Sequence, residues 1–251
     1  MSSDIKCLVK KLIVIMKYCR LKQPDKSSKA TNVIGLLLAL PRVVTALRHS
    51  KSQLGQDLFA LCELGFKENG YFVEFGATNG VNLSNSCLLE KQFGWTGIVA
   101  EPALRWHKDL TNNRKCHIET DCVWRESNSV LSFNETGSGE YSTIESYSSA
   151  EVHKELRKNG KTYNINTISL EDMLAKYNAP REIDYLSIDT EGSEYEILSN
   201  FNFDKYKFRT ITCEHNFTPD REKIFSLLTS NGYVRKLEGC SRFDDWYVRA
   251  V

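Results

Sequence analysis

Tyr71-Phe72-Val73-Glu74-Phe75-Gly76-Ala77-Thr78-Asn79-Gly80 is the stretch from which the fold can be read. Tyr71 to Phe75 is a short apolar, β-rich run. It passes into a loop framed by Gly76 and Gly80, and Leu83 to Phe93 then reads as a helix that ends at Gly94. Glycine at the loop positions permits backbone angles and a close ligand approach that a side chain would block. The helix start behind the loop presents free backbone N–H groups, suited to a carboxylate or phosphate. The loop departs from G-x-G-x-x-G, because Thr78 replaces the second glycine and the third is absent. A dinucleotide site is disfavoured accordingly. Taken alone, the segment fits a bare strand-to-helix turn equally well.

Working outward, the pattern repeats. Upstream, Leu54 to Phe66 has helical spacing of its apolar residues, and Asn69-Gly70 makes a turn. Downstream, Gly97 to Glu101 is a second strand closed by Pro102, His107 to Asn113 a helix, and Cys116 to Thr120 a third strand. Strand, helix, strand in alternation signals right-handed βαβ units and a mostly parallel sheet. Residues 134–149 are rich in Ser, Gly and Glu and read as a long mobile loop, a feature that is often functional. Glu151 to Lys158 reads as helical, Tyr163 to Ile168 as extended, and Leu170 to Tyr177 as a helix. Asp184 to Asp189 is the clearest strand, followed by a helix from Glu194, a strand from Phe208 to Glu214 and a helix from Ile224 to Ser230. Tyr233 to Leu237 and Trp246 to Arg249 are expected to close the sheet as a hairpin, with Gly239 in the turn region.

Polar residues gather where these strands end. Glu101 sits where an acidic side chain can accept hydrogen bonds from both hydroxyls of a ribose, a group common to NAD and S-adenosylmethionine. Asp121-Cys122-Val123 follows the third strand; a carboxylate there can accept from an adenine amino group, and the Cys122 N–H can donate to the ring. Asp121 serves equally well as a turn residue. Asp189-Thr190-Glu191-Gly192-Ser193-Glu194 puts three carboxylates at the mouth of the sheet, costly unless they bind something. They would face a cationic cofactor, hold a divalent metal (Asp189, Glu191 and Glu214 being the ligand candidates) or take a proton from a hydroxyl. Glu194 has the further reading of serving the positive end of its own helix. Glu214-His215-Asn216 ends another strand, and His215 is the side chain whose ordinary pKa best suits proton removal near neutrality.

Composition narrows the classes. The chain has 251 residues, enough for one sizeable α/β domain with an appendage. Its 33 Lys plus Arg against 32 Asp plus Glu give no basic excess, so no nucleic-acid partner is expected. The eight cysteines contain no C-x-x-C pair and read as reduced thiols of a cytoplasmic protein. Residues 1–49 are expected to form a helical extension with a polar linker near 22–32, ahead of a domain at 50–251. The apolar runs at Leu12 to Met16 and Val33 to Leu40 are too short to span a bilayer. Peripheral membrane contact through Lys10, Lys11 and Lys17 is the alternative to packing on the domain.

Together, Ser52-Gln53-Leu54-Gly55-Gln56-Asp57, Phe72 to Ala77, Leu83-Ser84-Asn85, Gly94-Trp95-Thr96-Gly97-Ile98-Val99-Ala100-Glu101-Pro102, Ile188 to Gly192 and Glu214-His215 resemble the FkbM family of methyltransferases. The resemblance runs in order from about residue 50 to the C-terminus. It implies a Rossmann-like class I methyltransferase fold, α/β, with a mostly parallel seven-stranded sheet and helices on both faces. It also implies S-adenosylmethionine as donor and a hydroxyl acceptor on a sugar, glycan or natural product. It places Glu74, Gly76, Ala77 and Gly80 around the methionine part of the cofactor, with Asn82 counted beside them. Glu101 falls on the ribose, and Asp189 with Glu191 at the acceptor side. The expected mechanism has His215 as general base, oriented by Asp189 or replaced by it. The alternatives are an NAD-linked or nucleotide-sugar Rossmann enzyme and a binding protein that has kept the fold without the catalysis.

Overall fold

β1 (Tyr71–Phe75) has four of its five residues buried, as a strand covered on both faces must. It pairs in parallel with β2 (Thr96–Ala100) on one side and with β8 (Glu182–Ile188) on the other. Successive side chains point to opposite faces, and the cores divide accordingly. Val73 and Phe75 pack with Met173, Leu174, Ile197 and Leu228. Phe72 packs with Leu58, Leu61, Leu88 and Leu110 on the other side. Helices α5 (Leu170–Lys176), α6 (Glu194–Ser199) and α7 (Asp220–Ser230) therefore cover one face, and α1 (Gln56–Glu63), α2 (Cys87–Phe93) and α3 (His107–Asn113) the other. The computed structural model describes residues 41–149 and 153–250. The linker expected at 22–32 and most of the extension at 1–49 lie outside the described residues. Residues 41–49 are helical, and Ala46 joins the cluster around Phe72.

The sheet continues through β3 (His117–Glu119) at one edge and β9 (Lys207–Glu214), β11 (Asp244–Arg249) and β10 (Tyr233–Lys236) at the other. The order is β10-β11-β9-β8-β1-β2-β3, and only β11 runs against its neighbours. The chain direction across the sheet reverses between β1 and β8. In open α/β sheets a ligand crevice forms at such a reversal, outside the carboxyl ends of the strands. The C-terminal hairpin pairs as expected, with Tyr233 opposite Arg249. Its connection is a helical turn, α8 (Glu238–Ser241), and β11 starts two residues earlier than the sequence pattern suggests.

The reading of 134–149 as a loop needs correction. β5 (Val130–Glu135) and β6 (Thr143–Ile144) are strands of a second, four-stranded sheet ordered β4-β7-β5-β6. The other members are β4 (Cys122–Trp124) and β7 (Lys161–Ser169). β5 lies antiparallel along six residues of β7, from Val130 opposite Asn166 to Glu135 opposite Lys161. A short helix, α4 (Lys154–Arg157), precedes β7. Thr143 and Ile144 are buried despite their polar surroundings in the sequence. This sheet stands over the crevice and supplies one of its walls.

Two tight contacts fix the loop after β1. Gly76 has φ of 72°, and a Cβ there would lie 2.1 Å from the Asp189 carbonyl oxygen. The close approach that demands glycine is thus to the end of β8, not to a ligand. Glu74 is buried, and its Oε1 accepts from the Asn85 N–H at 2.6 Å while Oε2 accepts from Ser84 Oγ at 2.9 Å and from Ser86 Oγ. Arg114, buried at the end of α3, lies 3.5 Å from Glu74 Oε2, bonds Glu90, and donates to the Gly80 carbonyl at 3.2 Å. Replacing Arg114 with Met leaves two carboxylates uncompensated. Urea denaturation should show a loss of about 3–5 kcal/mol; a loss under about 1 kcal/mol would mean the network carries little of the fold.

Candidate active site

The carboxyl ends of β1, β2, β8 and β9 open into a cavity of about 310 Å³, within the range of small-molecule sites. Glu74, Gly76, Glu101, Cys122, Asp189, Glu191 and Glu214 all line it. Of the other expected cofactor residues, Ala77 is buried in the core around Phe72, and Gly80 abuts Leu110 and Arg114. Asn82 is exposed, with its N–H on Asn79 Oδ1, and Asp121 stands beside Cys122, outside the lining. These four are not among the lining residues: the αL turns at Thr78 and Gly80 fold the loop that holds Ala77, Gly80 and Asn82 back onto α3, and Asp121 lies in the separate turn just ahead of Cys122. Glu74 reaches the cleft wall with both oxygens already occupied, which makes it a tether first.

Glu101 has the geometry of a hydroxyl acceptor. Its Oε2 accepts from the Thr78 N–H at 2.7 Å and its Oε1 from the Ala103 N–H at 2.9 Å, which fixes the carboxylate plane. Each oxygen keeps a lone pair for one more donor. Burial pushes its pKa up to about 7, against the pull of these two N–H groups. A vicinal diol donating to both oxygens therefore fits. Cys122 and Val123 from β4, and Phe133 and Ile144 from the second sheet, add an apolar wall suited to a flat ring. Burial, with Glu101 and Asp121 nearby, pushes the Cys122 thiol up to about 12.

At the other end of the cavity the three carboxylates Asp189, Glu191 and Glu214 converge, one oxygen of each lying within 4.8 Å of the others. The loop that brings them together is closed by Glu194, whose Oε1 accepts from the Thr190 N–H at 2.8 Å. Its Oε2 accepts from the Gly192 N–H at 3.1 Å. Glu194 thus serves its own loop and does not face the cavity. Burial raises Asp189 to about 6, offset by a hydrogen bond with Glu214. Burial, with Asp189 beside it, raises Glu191 to about 8 and Glu214 well above the usual range. Glu214 also accepts from Asn216 Nδ2 at 2.7 Å. The set could share protons or hold a divalent cation, which takes oxygen ligands of this kind.

His215 does not reach this cluster. It is buried, its Nδ1 accepts from the Phe217 N–H at 2.9 Å, and its Nε2 lies 3.8 Å from Asp245. Asp245 is held in turn by Arg221 and Arg235. Burial lowers the His215 pKa, against the pull of Asp245. The expected general base therefore faces away from the cavity, a correction with a simple cause. Side chains alternate along an extended chain, so Glu214 at the strand end points in and His215 points out, and the left-handed turn at Asn216 then brings its side chain back to Glu214. Arg157, unnoticed in the sequence, does matter. Its Nη2 donates to Glu191 Oε2 at 2.9 Å and its Nε to the Tyr141 carbonyl at 2.9 Å, tying α4 and the cavity wall to the acidic loop. Nothing in a helical Lys-Glu-Leu-Arg stretch announces that.

A central reversal between β1 and β8, an antiparallel β11 and an acidic residue after β2 define a Rossmann-like class I methyltransferase fold. Residues 74–240 match the model of the FkbM methyltransferase domain, more than half of the chain, and the chain belongs to that family. Family and fold imply S-adenosylmethionine as methyl donor. Among solved structures, the methyltransferase FkbM from Methylobacillus flagellatus KT shares 13% identity, with 96% of this chain and 59% of that chain covered and a TM-score of 0.49. A precorrin-6y C5,15-methyltransferase from Geobacter metallireducens GS-15 shares 11% identity, with 80% and 88% covered and a TM-score of 0.41. No curated protein matches the chain in sequence. Among the described residues no helix is long and apolar enough to cross a membrane.

If Glu101 is the ribose acceptor, binding of S-adenosylhomocysteine should strengthen as pH rises through about 7, where its carboxyl ionises. Below that pH the protonated carboxyl accepts less well, and calorimetry should show affinity falling by up to about tenfold per unit. Glu101→Gln should weaken binding and flatten this limb; an unchanged profile would remove Glu101 from the ribose.

Proposed function

We propose that this chain methylates a hydroxyl group of a sugar, glycan or natural product, with Asp189 as the proton acceptor. The observation that carries this reading is the Asp189 carboxylate in the cavity, hydrogen-bonded to Glu214 and set beyond Glu101. When bound, S-adenosylmethionine supplies a methyl carbon whose bond to sulfur breaks with the electron pair left on sulfur, giving S-adenosylhomocysteine. The acceptor oxygen forms the new C–O bond, and its proton passes to Asp189. Glu101 and the wall at Cys122 and Val123 hold the nucleoside end, so the protein's work is alignment and proton removal.

With its pKa near 6, Asp189 is ionised at neutral pH yet basic enough to attract a hydroxyl proton in the transition state. Arg157 keeps Glu191 fixed against the loop, and Asn216 fixes Glu214. The cluster of three carboxylate oxygens also suits a divalent cation, and this is the second reading.

Asp189→Asn should lower turnover by about 10²–10⁴-fold while S-adenosylhomocysteine affinity changes little. Wild-type turnover should fall as pH drops through about 6, where Asp189 takes up its proton. Retained turnover in the variant would move the proton elsewhere. Proton removal by Asp189 alone also requires full turnover in excess chelator. Loss that magnesium restores would assign the carboxylates to a cation instead.

A further inference from the structure

We propose that the acceptor is uncharged at the reacting end: a sugar already joined to its aglycone or glycan, not a nucleotide-activated sugar, a sugar phosphate or a sugar acid. This rests on the hydroxyl-methylation reading above and narrows it. Six carboxylates line the cavity, from Glu74, Glu101, Glu140, Asp189, Glu191 and Glu214. Among the described residues neither lysine nor arginine lines it, and the histidine there is His153. Of the guanidinium groups near it, Arg105 packs on Gly139 at the rim and donates to the Thr136 and Gly137 carbonyls, and two others are spent. Arg114 lies against Glu74 and Glu90, and Arg157 against Glu191 and two main-chain carbonyls. His153 is already engaged, its Nε2 facing Glu191 Oε2 at 3.8 Å.

A diphosphate, with its charge spread over several oxygens, is recognised most strongly by charged donors of the kind arginine and lysine provide. Here it would find no such donor among the described lining residues and would have to lie beside the Asp189 carboxylate, a juxtaposition of the kind that excludes wrong partners at interfaces. A hydroxylated, uncharged acceptor meets the opposite situation, because carboxylates and amide oxygens accept from its hydroxyls. The cavity rim supplies the complementary apolar contact. Phe217 is 71% exposed and Leu83 44% exposed, and both line the cavity. Asn216 and Phe217 have φ of 43° and 57°, a left-handed conformation uncommon for non-glycine residues and often found at functional sites. It holds the Phe217 ring outward, where the C–H face of a pyranose can lie on it. If so, a glycosyl transfer that releases the nucleotide must precede methylation, and the methyl group is added afterwards.

Two measurements test this. In the first, the full chain transfers labelled methyl from S-adenosylmethionine into the small-molecule and glycan fraction of a cell extract, and the product is passed over a strong anion exchanger. Label in the flow-through is expected. Label that is retained overturns the inference, most directly if mild acid releases it from a nucleotide. A neutral product methylated on something other than a sugar hydroxyl would sink the sugar reading while leaving the charge selection standing. In the second, calorimetry on the protein saturated with S-adenosylhomocysteine uses inorganic pyrophosphate and UDP-glucose as probes. No saturable binding is expected below millimolar concentration for either, at least about 100-fold weaker than a dedicated diphosphate site. Saturable micromolar binding of either probe would overturn the proposal whatever the extract shows.

Discussion

The buried carboxylate of Glu74 is the contact on which the cleft depends. It stands on the central strand and holds the backbone of Asn85 and the hydroxyls of Ser84 and Ser86. Arg114 on α3 reaches the same carboxylate and the Gly80 carbonyl. One side chain thereby joins the first strand, the turn after it, and the start of α2 to the end of α3. Such a pair is expensive to bury and stays favourable only because so many donors converge on it. The glycine two residues on does the complementary job, letting the loop touch the end of β8. Between them they set the distance from Glu101 to Asp189, and so the shape of the cavity.

The central sheet was open to sequence reasoning because its strands are continuous apolar runs, a pattern created by burial on both faces. Glu101, Asp189 and Glu214 could be placed at its mouth for the same reason: each follows such a run directly. The second sheet was hidden. β6 has two residues, β5 alternates weakly, and their partner β7 lies some thirty residues on, so pairing is decided by contacts that no local window contains. Strand position also tells which end a residue occupies but not which way it faces once the strand has run out. That is why His215 was assigned to the cavity while its neighbours Glu214 and Asn216 take the place. Gly76 was read as room for a ligand, and the room is used by the protein itself. Arg157 left no trace because its role depends entirely on where α4 is carried by the second sheet.

The acidic end of the cavity shows how a fold tolerates like charges in one place. Glu194 is removed from the problem by bonding its own loop, Glu191 is matched by Arg157, and burial raises the Glu214 pKa well above the usual carboxylate range. Of the three that converge, Asp189 has the lowest pKa, about 6 against about 8 for Glu191. These neighbours surround it. They establish the field in which its proton affinity is raised from that of an ordinary aspartate.

Cys122 lies on the wall of this same cavity, the place proposed for an alkylating cofactor. A thiolate in such a position would be a target for the methyl group, and the protein would inactivate itself over repeated turnovers. Burial, with Glu101 and Asp121 nearby, pushes the Cys122 pKa up to about 12, which keeps the sulfur as the thiol at neutral pH. The burial that packs the nucleoside wall thus also protects the enzyme from its own reagent, and it should make the thiol equally indifferent to external alkylating agents.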